Sequence, residues 1–183
     1  MKECYLFLAE GFEEIEALTV VDILRRDNIV IKTVSITNRK EVAGAHGITV
    51  LADKLIKDID IKDAALLILP GGMPGTNNLK ECEELTDMLR QFGGTNRRIA
   101  AICAAPTILG ALGLLEGRKA CCYPGMESSL TGAQVCTDEV VTDGNITTSR
   151  GMGTAIPFAL ELVRLFDSQT EAMALKRKIV YNH

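Results

Sequence analysis

The sequence predicts an α/β protein in which a mostly parallel sheet is covered by helices on both faces. Short apolar runs of strand length alternate along the chain with amphipathic stretches of helix length. One run, Ala64–Leu69, is apolar at every position and ends in Pro70-Gly71-Gly72. That is the pattern of a strand buried on both faces where it enters a loop. With 183 residues, 47% of them apolar, the chain suits a single domain, 1–183, with a full hydrophobic core.

Each element has its own signal. Cys4–Ala9 reads as a buried strand. Glu13–Arg26 reads as a helix, with Ile15, Leu18 and Val21 on one side and Glu16, Val20, Ile23 and Leu24 on another. Ile29–Thr37 is rich in β-branched residues and reads as a strand. Ile48–Ala52 reads as a short strand with Glu41–Ala45 pairing nearby. Gly75-Thr76-Asn77 reads as a loop. Cys82–Phe92 is an amphipathic helix stopped by Gly93-Gly94. Arg98–Cys103 is the next buried strand, and Pro106–Leu115 a helix with proline in its first turn. Val135–Thr142 and Ile146–Ser149 flank Asp143-Gly144, which predicts a hairpin. Thr154–Phe166 and Thr170–Tyr181 close the chain as helices, and His183 should fray.

Composition excludes several function classes. The formal net charge of -4 argues against nucleic acid or an anionic membrane surface as partner, since both attract basic patches. No tryptophan and only 4% aromatics leave little to stack bases on. The apolar start is too short for a signal sequence or a membrane span, so a cytoplasmic protein is expected. Six cysteines (4, 82, 103, 121, 122 and 136) and two histidines, His46 and His183, show no metal-ligand spacing. Reduced thiols and no metal are therefore expected.

In open α/β sheets, ligands bind beyond the carboxyl ends of the strands. Three features should gather there. Cys103 ends a strand and sits in Ala100-Ala101-Ile102-Cys103-Ala104-Ala105-Pro106-Thr107. Small residues on both sides suit the sharp strand–nucleophile–helix elbow, and the helix that follows should favour a thiolate. A buried inert cysteine is the competing reading, and it is preferred for the other five. Gly71 and Gly72 let backbone N–H groups approach a ligand and serve as an oxyanion hole, although Gly-Gly also suits a simple tight turn. Glu13, Glu14 and Glu16 crowd the first helix, where the helix dipole favours acids. Glu16 alone heads an apolar stripe, so it should point inward with a raised pKa, as a proton donor to the thiol. Ala104, not histidine, follows Cys103, and only His46, in a glycine-flanked loop, is available to partner it. That disfavours a Cys-His hydrolase.

Four motifs together carry a resemblance over nearly the whole chain. They are Gly11-Phe12-Glu13-Glu14-Ile15-Glu16, Leu69-Pro70-Gly71-Gly72, the Ala100–Thr107 segment, and Thr148-Ser149-Arg150-Gly151-Met152-Gly153-Thr154. In this order and spacing the chain resembles the ThiJ/PfpI (DJ-one) superfamily, in the branch of the Parkinson-disease-associated protein deglycase. The resemblance implies a flavodoxin-like three-layer sandwich, related to class I glutamine amidotransferases, and a homodimer. It implies Cys103 as nucleophile, Glu16 as its acid, the backbone of Gly72 and Ala104 as oxyanion hole, and Arg150 in support. Tyr123 stands where the branch's human member has histidine, and His46 where that member has arginine. The peptidase-like branch carries histidine after its cysteine, so Ala104 argues against peptidase activity. The implied activity is cofactor-free detoxification of reactive aldehydes or glycated groups: a glutathione-independent glyoxalase or deglycase. The alternative is a redox-sensing stress protein or chaperone working through oxidation of Cys103.

Overall fold

A computed structural model describes residues 3–181; the expectation for His183 lies outside the described residues. The strands are β1 (Glu3–Leu8), β2 (Ile31–Ser35), β3 (Glu41–Ala43), β4 (Thr49–Leu51), β5 (Lys54–Leu55), β6 (Ala64–Leu69), β7 (Arg98–Ile102), β8 (Lys119–Ala120), β9 (Gln134–Val135), β10 (Val140–Asp143) and β11 (Ile146–Ser149). The helices are α1 (Glu14–Arg26), α2 (Gly75–Glu81), α3 (Glu83–Gly93), α4 (Pro106–Ala111), α5 (Ala155–Phe166) and α6 (Gln169–Lys178). A seven-stranded sheet runs β10-β11-β7-β6-β1-β2-β5. All of its pairings are parallel except the β10–β11 hairpin. This is the expected mostly parallel sheet with helices on both faces.

The period of two along each strand sorts the core into two layers. Leu6, Leu8, Leu66, Ile68, Ala100 and Ile102 pack on one face with α1, α5 and α6. Tyr5, Phe7, Leu67, Leu69, Ile99 and Ala101 pack on the other with α2, α3 and α4. A flavodoxin-like sandwich follows, because every central strand is apolar on both sides. From β1 the chain moves to β2 on one flank, then returns through β6 to β7 on the other. The order reverses between β1 and β6, and the crevice beyond their carboxyl ends is where such sheets bind ligands.

Three elements differ from the sequence reading. Gly75-Thr76-Asn77 begins helix α2 instead of forming a loop. Its residues are poor helix formers, but Leu79 is fully buried and the Thr76 N–H donates to Gly72 O at 2.8 Å. The helix after Cys103 ends at Ala111, short of Leu115. Gly113 has φ +72°, and Leu114 and Gly113 donate to Leu109 O and Gly110 O, each at 3.0 Å; together these form a Schellman stop. The stretch read as one strand from Val135 divides. β9 pairs with β8 in a separate ribbon, and β10 joins the main sheet only at Val140.

Candidate active site

Because β1, β6 and β7 are parallel neighbours, the segments that follow them meet at one edge. The Glu13 N–H donates to Gly71 O at 2.9 Å, and the Gly75 N–H to Gly11 O at 3.1 Å. These two loops pack backbone against backbone. A Cβ on Gly72 (φ +92°) would meet Gly11 O at 2.6 Å and Phe12 C at 2.7 Å, so only glycine fits there.

Cys103 sits at the turn with φ +65°, a left-handed conformation that an ordinary side chain adopts only under strain. Its backbone is held from both sides. The Cys103 N–H donates to Ser149 O at 3.0 Å, and its carbonyl accepts from the Tyr123 N–H at 2.7 Å. The side chain is half-buried and points at the loop after β6. A Cβ on Gly71 would meet Cys103 Cβ at 2.6 Å, Glu16 Oε2 at 2.7 Å and Cys103 Sγ at 3.0 Å. The absence of a side chain at Gly71 therefore lets thiol and carboxyl meet.

Glu16, 1% exposed, reaches this point from the first turn of α1. Its carboxyl lies beside the Cys103 thiol across Gly71 and accepts from the Gly71 N–H at 2.9 Å. Burial pushes its carboxyl up to about 7, against the downward pull of the Cys103 thiol and the Gly71 N–H; the charge of Glu13 adds to the rise. Burial also pushes the Cys103 thiol up to about 12, helped by the charge of Glu16 and its hydrogen bond. The N–H groups of Ala104 and Gly72 act on the sulfur in the opposite direction. The sequence reading expected the following helix to favour a thiolate. α4 is only six residues long, and burial beside a carboxylate outweighs it.

The other predicted residues surround this pair at different ranges. The Gly71 N–H is taken by Glu16, so it is Gly72 and Ala104 whose N–H groups face the sulfur. Arg150 follows Ser149, and its guanidinium donates to Thr137 O at 3.3 Å. Tyr123 is 51% exposed and lies against Gly151. His46 is exposed, and its Nδ1 lies 2.9 Å from Glu14 Oε2 and 3.6 Å from Glu13 Oε1. These three side chains form a group that could hold a cation, with ligand atoms within 4.8 Å of one another.

Glu14, which the sequence presents as an ordinary acid at a helix start, has a further role. It is buried and accepts from the His46 N–H at 2.8 Å and the Ile48 N–H at 3.4 Å. It thereby ties the β3–β4 hairpin to α1. No local pattern marks it, because its partners lie more than 30 residues away.

Comparison with known proteins points to one family. Residues 2–165 match the DJ-1/PfpI family. The chain is 38% identical over 181 residues to Protein DJ-1 homolog B of Arabidopsis thaliana, covering 98% of this chain and 41% of that protein. It thus spans about two fifths of that plant relative's length. It is 31% identical over 171 residues to the glutathione-independent glyoxalase DJR-1.2 of Caenorhabditis elegans, covering 93% of this chain and 91% of that one. The solved structure of oxidized Toxoplasma gondii DJ-1 superposes with a TM-score of 0.95 at 32% identity, over 100% of both chains. With the fold, the strand-end elbow and the family match in agreement, the chain belongs to the DJ-1/PfpI family.

Proposed function

We propose that this protein detoxifies reactive carbonyls through Cys103, as a glutathione-independent glyoxalase or deglycase that takes methylglyoxal to lactate. The observation that carries this reading is the placement of the Glu16 carboxyl beside the Cys103 thiol across Gly71, each acting on the other's proton affinity, with the backbone N–H groups of Gly72 and Ala104 drawing the thiol toward its ionised form. Moving the thiol proton to the Glu16 carboxylate yields thiolate and carboxylic acid without changing the net charge of the buried pair. The thiolate attacks the aldehyde carbon, and the N–H groups of Gly72 and Ala104 hold the resulting oxyanion. Glu16 protonates that oxygen, removes the proton from the former aldehyde carbon and delivers one to the neighbouring carbon. The product is a thioester of lactate on Cys103. Water cleaves it, releasing the 2-hydroxy acid and restoring the thiol. The name of the nematode relative, a glutathione-independent glyoxalase, supports the same reading. No metal or cofactor is called for in these steps.

The working form in this reading is a cytoplasmic homodimer. No helix among the described residues is long and apolar enough to cross a membrane. Ile15, Leu18, Ile48 and Leu51 are exposed on α1 and the β3–β4 hairpin, which Glu14 ties together, and they offer an apolar face to a second copy. Arg150, Tyr123 and His46 play supporting parts around the site. A second reading, a redox-sensing stress protein or chaperone, draws on the same half-buried sulfur, whose neighbouring carboxyl and N–H groups would stabilise a sulfinate.

Lactate formation from methylglyoxal without glutathione tests the enzyme reading. Turnover that disappears in Cys103→Ser supports it, and turnover untouched by that change sinks it. A wild type without turnover, oxidised by peroxide selectively at Cys103, favours the sensor.

A further inference from the structure

A pair of thiols, Cys121 and Cys136, lies outside the Cys103–Glu16 pair. β8 and β9 pair in parallel with Lys119 opposite Gln134 and Ala120 opposite Val135. The Cys136 N–H donates to Ala120 O at 2.8 Å, so the strands are still bonded where the next pair, Cys121 and Cys136, comes level. Residues level with each other on parallel strands project to the same face. Neighbouring strands run about 4.8 Å apart, within the Cα separation of about 4.4–6.8 Å that a disulfide spans.

The two thiols differ in ways that suit a redox couple. Cys136 is half-buried and open to a small oxidant. Cys121 is fully buried, its Sγ 3.6 Å from Thr148 Oγ1 and its N–H donating to the same oxygen at 3.0 Å. Burial pushes the Cys121 thiol up, while the Thr148 hydrogen bond and the charge of Arg150 pull it down; Cys136 acts on it electrostatically as well. Arg150 is anchored on the carbonyl of Thr137, the residue after Cys136. Cys122 alternates to the opposite side and packs in the core of the other layer.

We propose that Cys121 and Cys136 form a reversible disulfide, closed by hydrogen peroxide independently of Cys103. The Cys136 thiolate attacks one peroxide oxygen, the O–O bond breaks, and hydroxide leaves to be protonated to water. The Cys121 thiolate then attacks the sulfenic sulfur, the S–S bond forms, and the S–O bond breaks to release a second water. The two thiols lose two hydrogens and two electrons, and one peroxide is reduced to two waters. A thiol reductant reopens the bond, so this pair resets where a sulfinic acid at Cys103 would not.

Peptide mapping tests this on the whole chain, treated with hydrogen peroxide and then blocked at free thiols. No lysine or arginine lies between Lys119 and Arg150, so trypsin alone leaves Cys121, Cys122 and Cys136 in one peptide. Further cleavage after Glu127 separates the first two from the third. The expected product is a disulfide-linked pair of peptides that dithiothreitol separates. It persists in Cys103→Ser and in Cys122→Ser, and it is lost in Cys136→Ser. Absence of the linked pair from the oxidised wild type overturns the proposal, as does a link that disappears in Cys122→Ser or in Cys103→Ser. Should a variant fail to fold, fragment ions of the wild-type linked peptides locate the bond on Cys121 or on Cys122 and decide the matter.

Discussion

Glu16 and Cys103 meet beside Gly71, where a Cβ would lie 2.7 Å from the carboxyl Oε2 and 3.0 Å from the thiol Sγ and where the carboxyl takes the Gly71 N–H at 2.9 Å. The two groups lie 87 residues apart in the chain and come together because β1, β6 and β7 end at one edge of the sheet. A buried carboxyl at that point is unfavourable for the ionised form, and the first consequence concerns stability.

Burial pushes Glu16 up from its ordinary 4.5 to about 7. The folded state thus holds a proton that the unfolded chain releases between those values. Stability is fully present below about pH 4.5 and falls as pH rises toward 7. The loss is on the order of 3 kcal/mol. Glu16→Gln lacks this titration, so its urea midpoint should change less than the wild type's between pH 5 and pH 8.

Removing the charge of Glu16 should also free the thiol. Burial is the main cause of the raised Cys103 pKa, but the charge and hydrogen bond of Glu16 add to it. At pH 8, Glu16→Gln should be alkylated at Cys103 by iodoacetamide roughly tenfold faster than the wild type, the equivalent of one pKa unit. Mass spectrometry of the Cys103 peptide gives the rate. Equal or slower alkylation would show that the carboxylate does not restrain the sulfur.

The elbow carries its own strain. Cys103 holds φ +65°, a conformation that costs a non-glycine residue about 1–2 kcal/mol. Cys103→Gly should therefore unfold at a higher denaturant concentration than Cys103→Ala, although both lack the sulfur. The reverse order would mean that the turn is unstrained.

Much of this was legible in the sequence, and the failures have physical causes. β6 was readable to the residue because its apolar run is short and is closed by Pro70-Gly71-Gly72, which suits a strand buried on both faces and not a helix. The turn at Cys103 was readable from the alanines around it, and the inward placement of Glu16 from its interruption of an apolar stripe. Helix α2 was not, because Gly75, Thr76 and Asn77 have poor propensity and only the burial of Leu79 and the bond to Gly72 hold them helical. The end of α4 was marked by Gly113, but the apolar Leu112, Leu114 and Leu115 concealed it. The state of the thiol was not legible either, since it depends on burial and on a carboxylate brought from α1.

Glu14 shows a further limit of local pattern, and its role can be measured. Glu14→Ala removes the acceptor for the His46 and Ile48 N–H groups. Amide hydrogen exchange at these two residues should speed up, while the amides of β1 and β6 stay protected. Unchanged protection at His46 and Ile48 would mean that the hairpin holds without this carboxylate.

The part Glu16 and Cys103 play together is read most directly from kcat for lactate formation from methylglyoxal, without glutathione, in wild type, Glu16→Gln and Cys103→Ser side by side. A positioned general acid–base contributes about 10²–10⁴-fold. Proton transfer by Glu16 implies a fall of that order in Glu16→Gln, with Cys103 still open to alkylation, and no turnover in Cys103→Ser. Wild-type turnover in Glu16→Gln would contradict it, because the carboxyl that meets the thiol would then take no part in moving protons.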